Sequence, residues 1–70
     1  MGNEIYNQVN REEMIRTIIE WYTFQLKIGN IQWKYYKLFI KLIKYYSLPT
    51  LYSFYWISKK GLEDKSSGKL

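Results

Sequence analysis

Apolar residues recur at intervals of three and four along three segments of the chain, which is the spacing of one face of an α-helix. In the first segment this period is followed by Met14, Ile15, Ile18, Tyr22 and Leu26. Asn10 and Glu13 stand where the N-cap and third residue of a capping box are found, and Gly29 is suited to the end of a helix. We therefore predict a first helix over residues 10–28.

The second segment has the widest apolar face. We predict a helix over residues 31–46, whose core-facing residues are Tyr35, Tyr36, Phe39, Leu42, Ile43 and Tyr46. Lysines occupy the opposite face. Because an apolar arc this wide favours contact on more than one side, we expect this helix to be the central one.

The third segment begins with a break at Ser47 and Leu48, followed by Pro49, which is tolerated only in the first turn of a helix. Gly61 is typical of the residue after a helix end. These signals predict a helix over residues 49–60. The fold class is then all-α: a small, helix-turn-helix-like domain of three helices at 10–61. We expect helices 1 and 2 to be antiparallel, helix 3 to pack across them, and residues 1–9 and 62–70 to be flexible, disordered tails.

Composition restricts the chemistry of this 70-residue chain, which has no cysteine and no histidine. Disulfides, thiolate zinc sites and the commonest general base are thereby excluded. No glycine-rich phosphate loop is present, and the acids are accounted for by helix ends and polar faces. We expect no enzyme activity, metal, cofactor or small-molecule substrate. The absence of a signal-peptide pattern and of a long apolar run predicts a cytoplasmic, intracellular protein.

Positive charge is concentrated in the middle of the chain. Residues 31–60 hold six lysines and no acid, whereas residues 1–30 sum to −1 and residues 61–70 to zero. Lys34, Lys37, Lys41 and Lys44 follow the helical period and form one stripe. An ordinary solvated helix face would account for the stripe, but solvated faces usually alternate in sign. We therefore expect a polyanionic partner.

A second motif overlaps the third helix. The run Thr50-Leu51-Tyr52, followed by Ser58-Lys59-Lys60 and Leu62, loosely resembles the recognition-helix end of small bacterial repressors of the TetR type. The spacing between Tyr52 and Ser58 is one residue longer here. The resemblance implies that Thr50, Tyr52 and Ser53 approach base edges while lysines contact the backbone. Core packing is the alternative role for most of the aromatic residues in this run.

The leading hypothesis is a small basic nucleic-acid-binding protein of viral, phage or plasmid origin, with DNA favoured over RNA. Its predicted contacts are Lys34, Lys37, Lys41, Lys44, Thr50, Tyr52, Ser53, Lys59 and Lys60. Fourteen aromatic residues support a different class, a helical accessory or scaffold subunit that binds itself or a larger protein complex. An amphipathic protein bound to a membrane surface is the third alternative.

Overall fold

The computed structural model describes residues 10–68, so the predicted tail at residues 1–9 and residues 69–70 lie outside the described part. Three helices follow one another: α1 (Arg11–Lys27), α2 (Trp33–Ile43) and α3 (Leu48–Ser66). The predicted all-α fold of three helices is confirmed.

Both ends of α1 are set by local interactions. The side-chain oxygen of Asn10 accepts a hydrogen bond of 2.7 Å from the backbone amide of Glu13, as the capping pattern predicts. After the C-cap residue Ile28, Gly29 adopts a φ of 82°, a left-handed conformation that favours glycine. The first helix therefore lies within one residue of its predicted bounds at each end.

Contacts between α1 and α2 show that the two helices are antiparallel. The guanidinium of Arg11, at the start of α1, donates to the backbone carbonyl of Lys44, just beyond the end of α2. Near the other end of α1, the hydroxyls of Thr23 and Tyr36 lie 2.8 Å apart. The start of α1 thus lies beside the end of α2, and the predicted antiparallel arrangement is confirmed.

The central helix is α1, and the prediction that helix 2 is central was wrong. α1 packs mainly against α3 and less extensively against α2. Trp21 meets Gly61, and the Lys65 ammonium lies 4.7 Å from the ring centroid of Phe24, so α1 and α3 run in the same direction. The apolar residues that suggested contact on several sides of α2 are instead largely exposed: Trp33, Tyr35, Leu38 and Leu42.

The third helix does not end at Gly61. It continues to Ser66, so the prediction of a disordered tail was wrong for residues 62–66. A Cβ atom at Gly61 would lie only 2.5 Å from the nearest atom of the Trp21 ring, which makes this glycine a point of close helix approach. The left-handed conformation that follows the helix belongs to Gly68, with a φ of 77°.

The core is small and lies between α1 and α3, with one contribution from α2. Its buried apolar residues are Met14, Ile18, Ile43, Leu51 and Tyr55, none more than 6% exposed. Leu51 and Tyr55 belong to the run that resembles a recognition helix, and their burial agrees with the alternative prediction that this run packs in the core. Trp56 of the same run is 51% exposed. Much of the aromatic content surrounds this core instead of filling it.

A cluster of rings joins the three helices beside the core. Phe39 of α2 lies 4.5 Å from Tyr22 of α1 and 5.5 Å from Phe54 of α3, measured between ring centroids. Tyr46 stacks on Phe54 at 5.7 Å. Burial raises the pKa of Tyr22 above its usual 10.0, and Tyr46 adds to the rise. The Tyr22 phenol is therefore neutral at physiological pH and contributes no charge to the surface.

Ser58 is fully buried, and its hydroxyl has no hydrogen-bond partner among the described residues. Since an unpaired buried hydroxyl carries an uncompensated desolvation cost, Ser58→Ala is expected to raise the free energy of unfolding by about 1–2 kcal/mol. Urea denaturation would measure the change. Ser53→Ala is the control, because Ser53 is exposed on the same helix. It gains about 0.5 kcal/mol of helix propensity but loses the hydrogen bond from its hydroxyl to the Pro49 carbonyl, so its net gain should be smaller. An equal gain in both variants would contradict the prediction.

Candidate functional site

The lysines of α2 form an open basic surface. Lys34, Lys37 and Lys41 are all exposed, and together with Leu38 they line a shallow depression of approximately 230 Å³. No carboxylate lines this depression. The lysines that follow the helical period in the sequence therefore form a surface that carries only positive charge.

Lys44 extends the same stripe beyond the last residue of α2. It is the C-cap of the helix and keeps right-handed helical angles, with φ −69° and ψ −14°. Its backbone carbonyl accepts the hydrogen bond from Arg11. That bond ties the end of the stripe to the start of α1 while the Lys44 ammonium lies 5.5 Å from the ring centroid of Tyr45.

Large apolar side chains lie beside the lysines. Exposure reaches 59% for Trp33, 57% for Tyr35 and 76% for Tyr45. The predicted core positions of Tyr35 and Leu42 were therefore wrong, since Leu42 is also 43% exposed. These two side chains would be buried only if a second helix packed against their side of α2. They are exposed because α2 lies at the edge of the fold, where its main contact is α1.

Each of the three exposed rings has a lysine ammonium close to it. The distance to the ring centroid is 5.1 Å from Lys34 to Tyr35 and 5.9 Å from Lys37 to Trp33. These distances fall within the range of cation–π attraction. We define the basic-aromatic face as the lysine stripe together with the rings that flank it, Trp33 on one side and Tyr35 on the other. Its members are Lys34, Lys37, Lys41, Lys44, Trp33, Tyr35 and Tyr45. The periodicity of the lysines indicates their half of this face, but the aromatic half was missed.

The lysines of this face repel one another. Neighbours three or four residues apart on a helix are in contact range, and a like-charge pair costs about 0.2–0.5 kcal/mol. Three such pairs follow one another along the stripe, with no acid anywhere in residues 31–60. An anion placed along the stripe would relieve this repulsion.

The predicted base-contacting residues lie on α3, and none of them lines the depression of the α2 lysines. The hydroxyl of Ser47 donates to that of Thr50 at 3.0 Å, and the hydroxyl of Ser53 donates to the Pro49 carbonyl at 3.2 Å. Thr50 and Ser53 are exposed, whereas Tyr52 is half-buried and contacts neighbouring rings. These hydroxyl groups thus take part in the first turns of α3.

Lys59 and Lys60 also lie apart from the α2 lysines. Lys59 is half-buried, with its ammonium 5.0 Å from the Trp56 ring centroid, and it lines a depression between α1 and α3 that includes Glu20 and Glu63. Lys60 lines a separate depression, which also includes Glu63. Nearby carboxylates weaken the positive potential around both lysines. The nine predicted site residues therefore fall in several places, and only the α2 lysines form a uniform basic surface.

Between residues 10 and 68, no helix has the length and apolar character needed to cross a membrane. In the same part of the chain, no three histidine, cysteine or acidic side chains are grouped as metal ligands would be.

The chain matches no protein family, no curated protein and no solved structure. The resemblance to TetR-type repressors therefore stays a prediction from the residues quoted above.

Proposed function

We propose that the protein is a small, basic, non-enzymatic nucleic-acid-binding protein that contacts phosphates through the lysines of α2. The observation that carries this proposal is the exposed stripe of Lys34, Lys37 and Lys41, which lines one depression without a carboxylate. Lys44 lengthens the stripe to about 15 Å, at a rise of 1.5 Å per residue. A row of fixed positive charges of this kind matches the regularly spaced charges of a phosphate backbone.

The electrostatics of the stripe favour a polyanion over plain solvation. Repulsion between neighbouring lysines is a cost in the free protein, and phosphates placed along the stripe would convert it into attraction. Binding would also release the counterions condensed on the nucleic acid. Both contributions depend on salt, so the ionic strength is the variable that tests the proposal.

Salt titration of the binding affinity is the test. If four lysines contact phosphates, affinity should fall about 50- to 150-fold between 50 and 200 mM salt, corresponding to slopes near −2.8 for single strands and −3.6 for duplex. Fluorescence anisotropy of labelled oligonucleotides measures this directly. Absence of binding at 50 mM salt, or an affinity indifferent to salt, would refute the proposal.

A helical accessory or scaffold subunit is the second candidate, because many large apolar side chains are exposed. Those more than two-fifths exposed are Ile28, Trp33, Tyr35, Leu38, Leu42, Tyr45, Leu48, Trp56 and Ile57. Surfaces of this composition are typical of protein interfaces. Sedimentation analysis that finds only monomers over a wide range of concentrations would count against self-association.

Membrane-surface binding is a weaker alternative, for a geometric reason. An interfacial helix places apolar residues at the centre of its exposed face and lysines at the margins. On α2 the order is reversed: at 3.6 residues per turn, Trp33 lies on one side of the lysine stripe and Leu38 and Leu42 on the other. Charge thus occupies the middle of the face.

A further inference from the structure

We infer that the nucleic acid bound by α2 is single-stranded, with its phosphates along the lysine stripe and its bases stacked on Trp33, Tyr35 and Tyr45. This inference rests on the proposed function. It adds the class of nucleic acid and assigns a role to the aromatic half of the basic-aromatic face.

The three rings are available to a ligand. Each is more than half exposed, and Tyr45 is the most exposed of them at 76%. Trp33 is stacked on Tyr36, at 5.6 Å between centroids and an interplanar angle of 21°. This contact supports the indole and leaves it 59% exposed.

Lysines beside the rings fit a backbone and its bases together. The ammonium groups of Lys34, Lys37 and Lys44 lie 5.1–5.9 Å from the centroids of Tyr35, Trp33 and Tyr45. A phosphate held by one of these lysines would therefore leave the attached base within reach of a ring. Proteins that bind single strands without sequence preference combine a positive track with stacking rings in this way.

A duplex would use only half of this face. Its bases are already stacked on one another and present only their edges in the grooves. Those edges are usually read by arginine, lysine, asparagine, glutamine, serine and threonine. Of these, residues 33–46 contain only lysine, which the proposed function assigns to phosphates. Duplex binding would engage the lysines and leave the exposed rings without bases to contact.

The size of the face limits the length of strand that it binds. α2 has 11 residues and is about 16 Å long. This length suits a short site, at the lower end of the range of about 4 to 16 nucleotides found for single-strand-binding modules. Because every base has a stacking face, we expect little sequence preference.

The test compares a labelled single strand with the duplex of the same sequence at 50 mM salt, using Tyr45→Ala and Trp33→Ala variants. Each substitution is expected to weaken single-strand binding at least about 5-fold, the factor for one lost stacking contact, and to leave duplex binding unchanged. Trp56→Ala is the matched control, because Trp56 is an exposed ring beside Lys59 on a different helix. It should leave both affinities unchanged.

Several outcomes would overturn the inference. The inference would be refuted if the duplex bound more tightly than the single strand, or if neither aromatic substitution weakened single-strand binding. In either case, an affinity that still fell with salt would continue to support the proposed function. No binding to either oligonucleotide would remove both proposals. Sedimentation with anionic vesicles in that case would identify a membrane as the partner. Circular dichroism of each variant checks that a loss of binding does not reflect unfolding.

Discussion

Replacement of Leu51 with alanine is expected to lower the free energy of unfolding by about 2–5 kcal/mol. Leu51 has no solvent exposure and is one of five apolar residues that are buried between residues 10 and 68. A chain of this length buries about 60% of its unfolded surface, so its total stability should lie near the lower end of the usual 5–15 kcal/mol. The variant should therefore keep at most about 3 kcal/mol, and up to about half of the molecules should be unfolded at room temperature. Urea denaturation followed by circular dichroism measures the loss.

The matched control for this substitution is Leu38→Ala. Leu38 has the same side chain and is also in a helix, but it is 53% exposed on α2. Its removal should change stability by no more than about 0.5 kcal/mol. If both substitutions cost the same, the core does not lie between α1 and α3 as described.

Reversal of two charges in the stripe, by Lys37→Glu together with Lys41→Glu, is expected to weaken nucleic-acid binding about 100-fold or more at 50 mM salt. Two phosphate contacts are lost, and the two carboxylates repel the backbone. The salt slope should fall by half, from near −2.8 to near −1.4 for a single strand and from near −3.6 to near −1.8 for a duplex. Anisotropy titrations at several salt concentrations give both quantities. Since both side chains are exposed, the fold should persist.

Substitution of a second pair of lysines separates the effect of the stripe on binding from the effect of net charge. Lys27→Glu with Lys65→Glu changes the net charge by the same amount, and these two residues line a different depression, together with Glu20. Only the long-range part of the attraction should be lost, so the affinity should fall by a small factor and the slope should hardly change. Equal losses in the two double variants would show that overall charge governs binding.

Local signals in the sequence were sufficient to predict three helices but not all of their ends, since α2 spans Trp33–Ile43 and not the predicted 31–46. The cap formed by Asn10 and Glu13 needs only neighbouring residues, and the start of α1 agrees with it. Gly61 shows the limit of such signals. A glycine that ends a helix and a glycine that admits a ring from another helix are identical in the sequence, and the Trp21 contact distinguishes them. The end of α3 at Ser66 therefore could not be predicted from the sequence.

The candidate site was predictable in part for the same reason. Periodicity alone brings Lys34, Lys37 and Lys41 onto one side of a helix. The exposure of Tyr35 follows from the position of α2 at the edge of the fold, which no pattern within α2 reveals. Glu20, which lines the same depression as Lys59, comes from another helix, so the sequence pattern of α3 does not reveal the surroundings of Lys59.

The contact between Gly61 and Trp21 also fixes how α1 and α3 are aligned along their length. A slip of one residue would shift α3 by about 1.5 Å and turn it by about 100°. The indole would then meet the side chain of Lys60 or Leu62 where it now meets a bare backbone. Neither neighbouring axial register accommodates the ring. A single residue without a side chain thus selects the native pairing of two parallel helices from its nearest competitors.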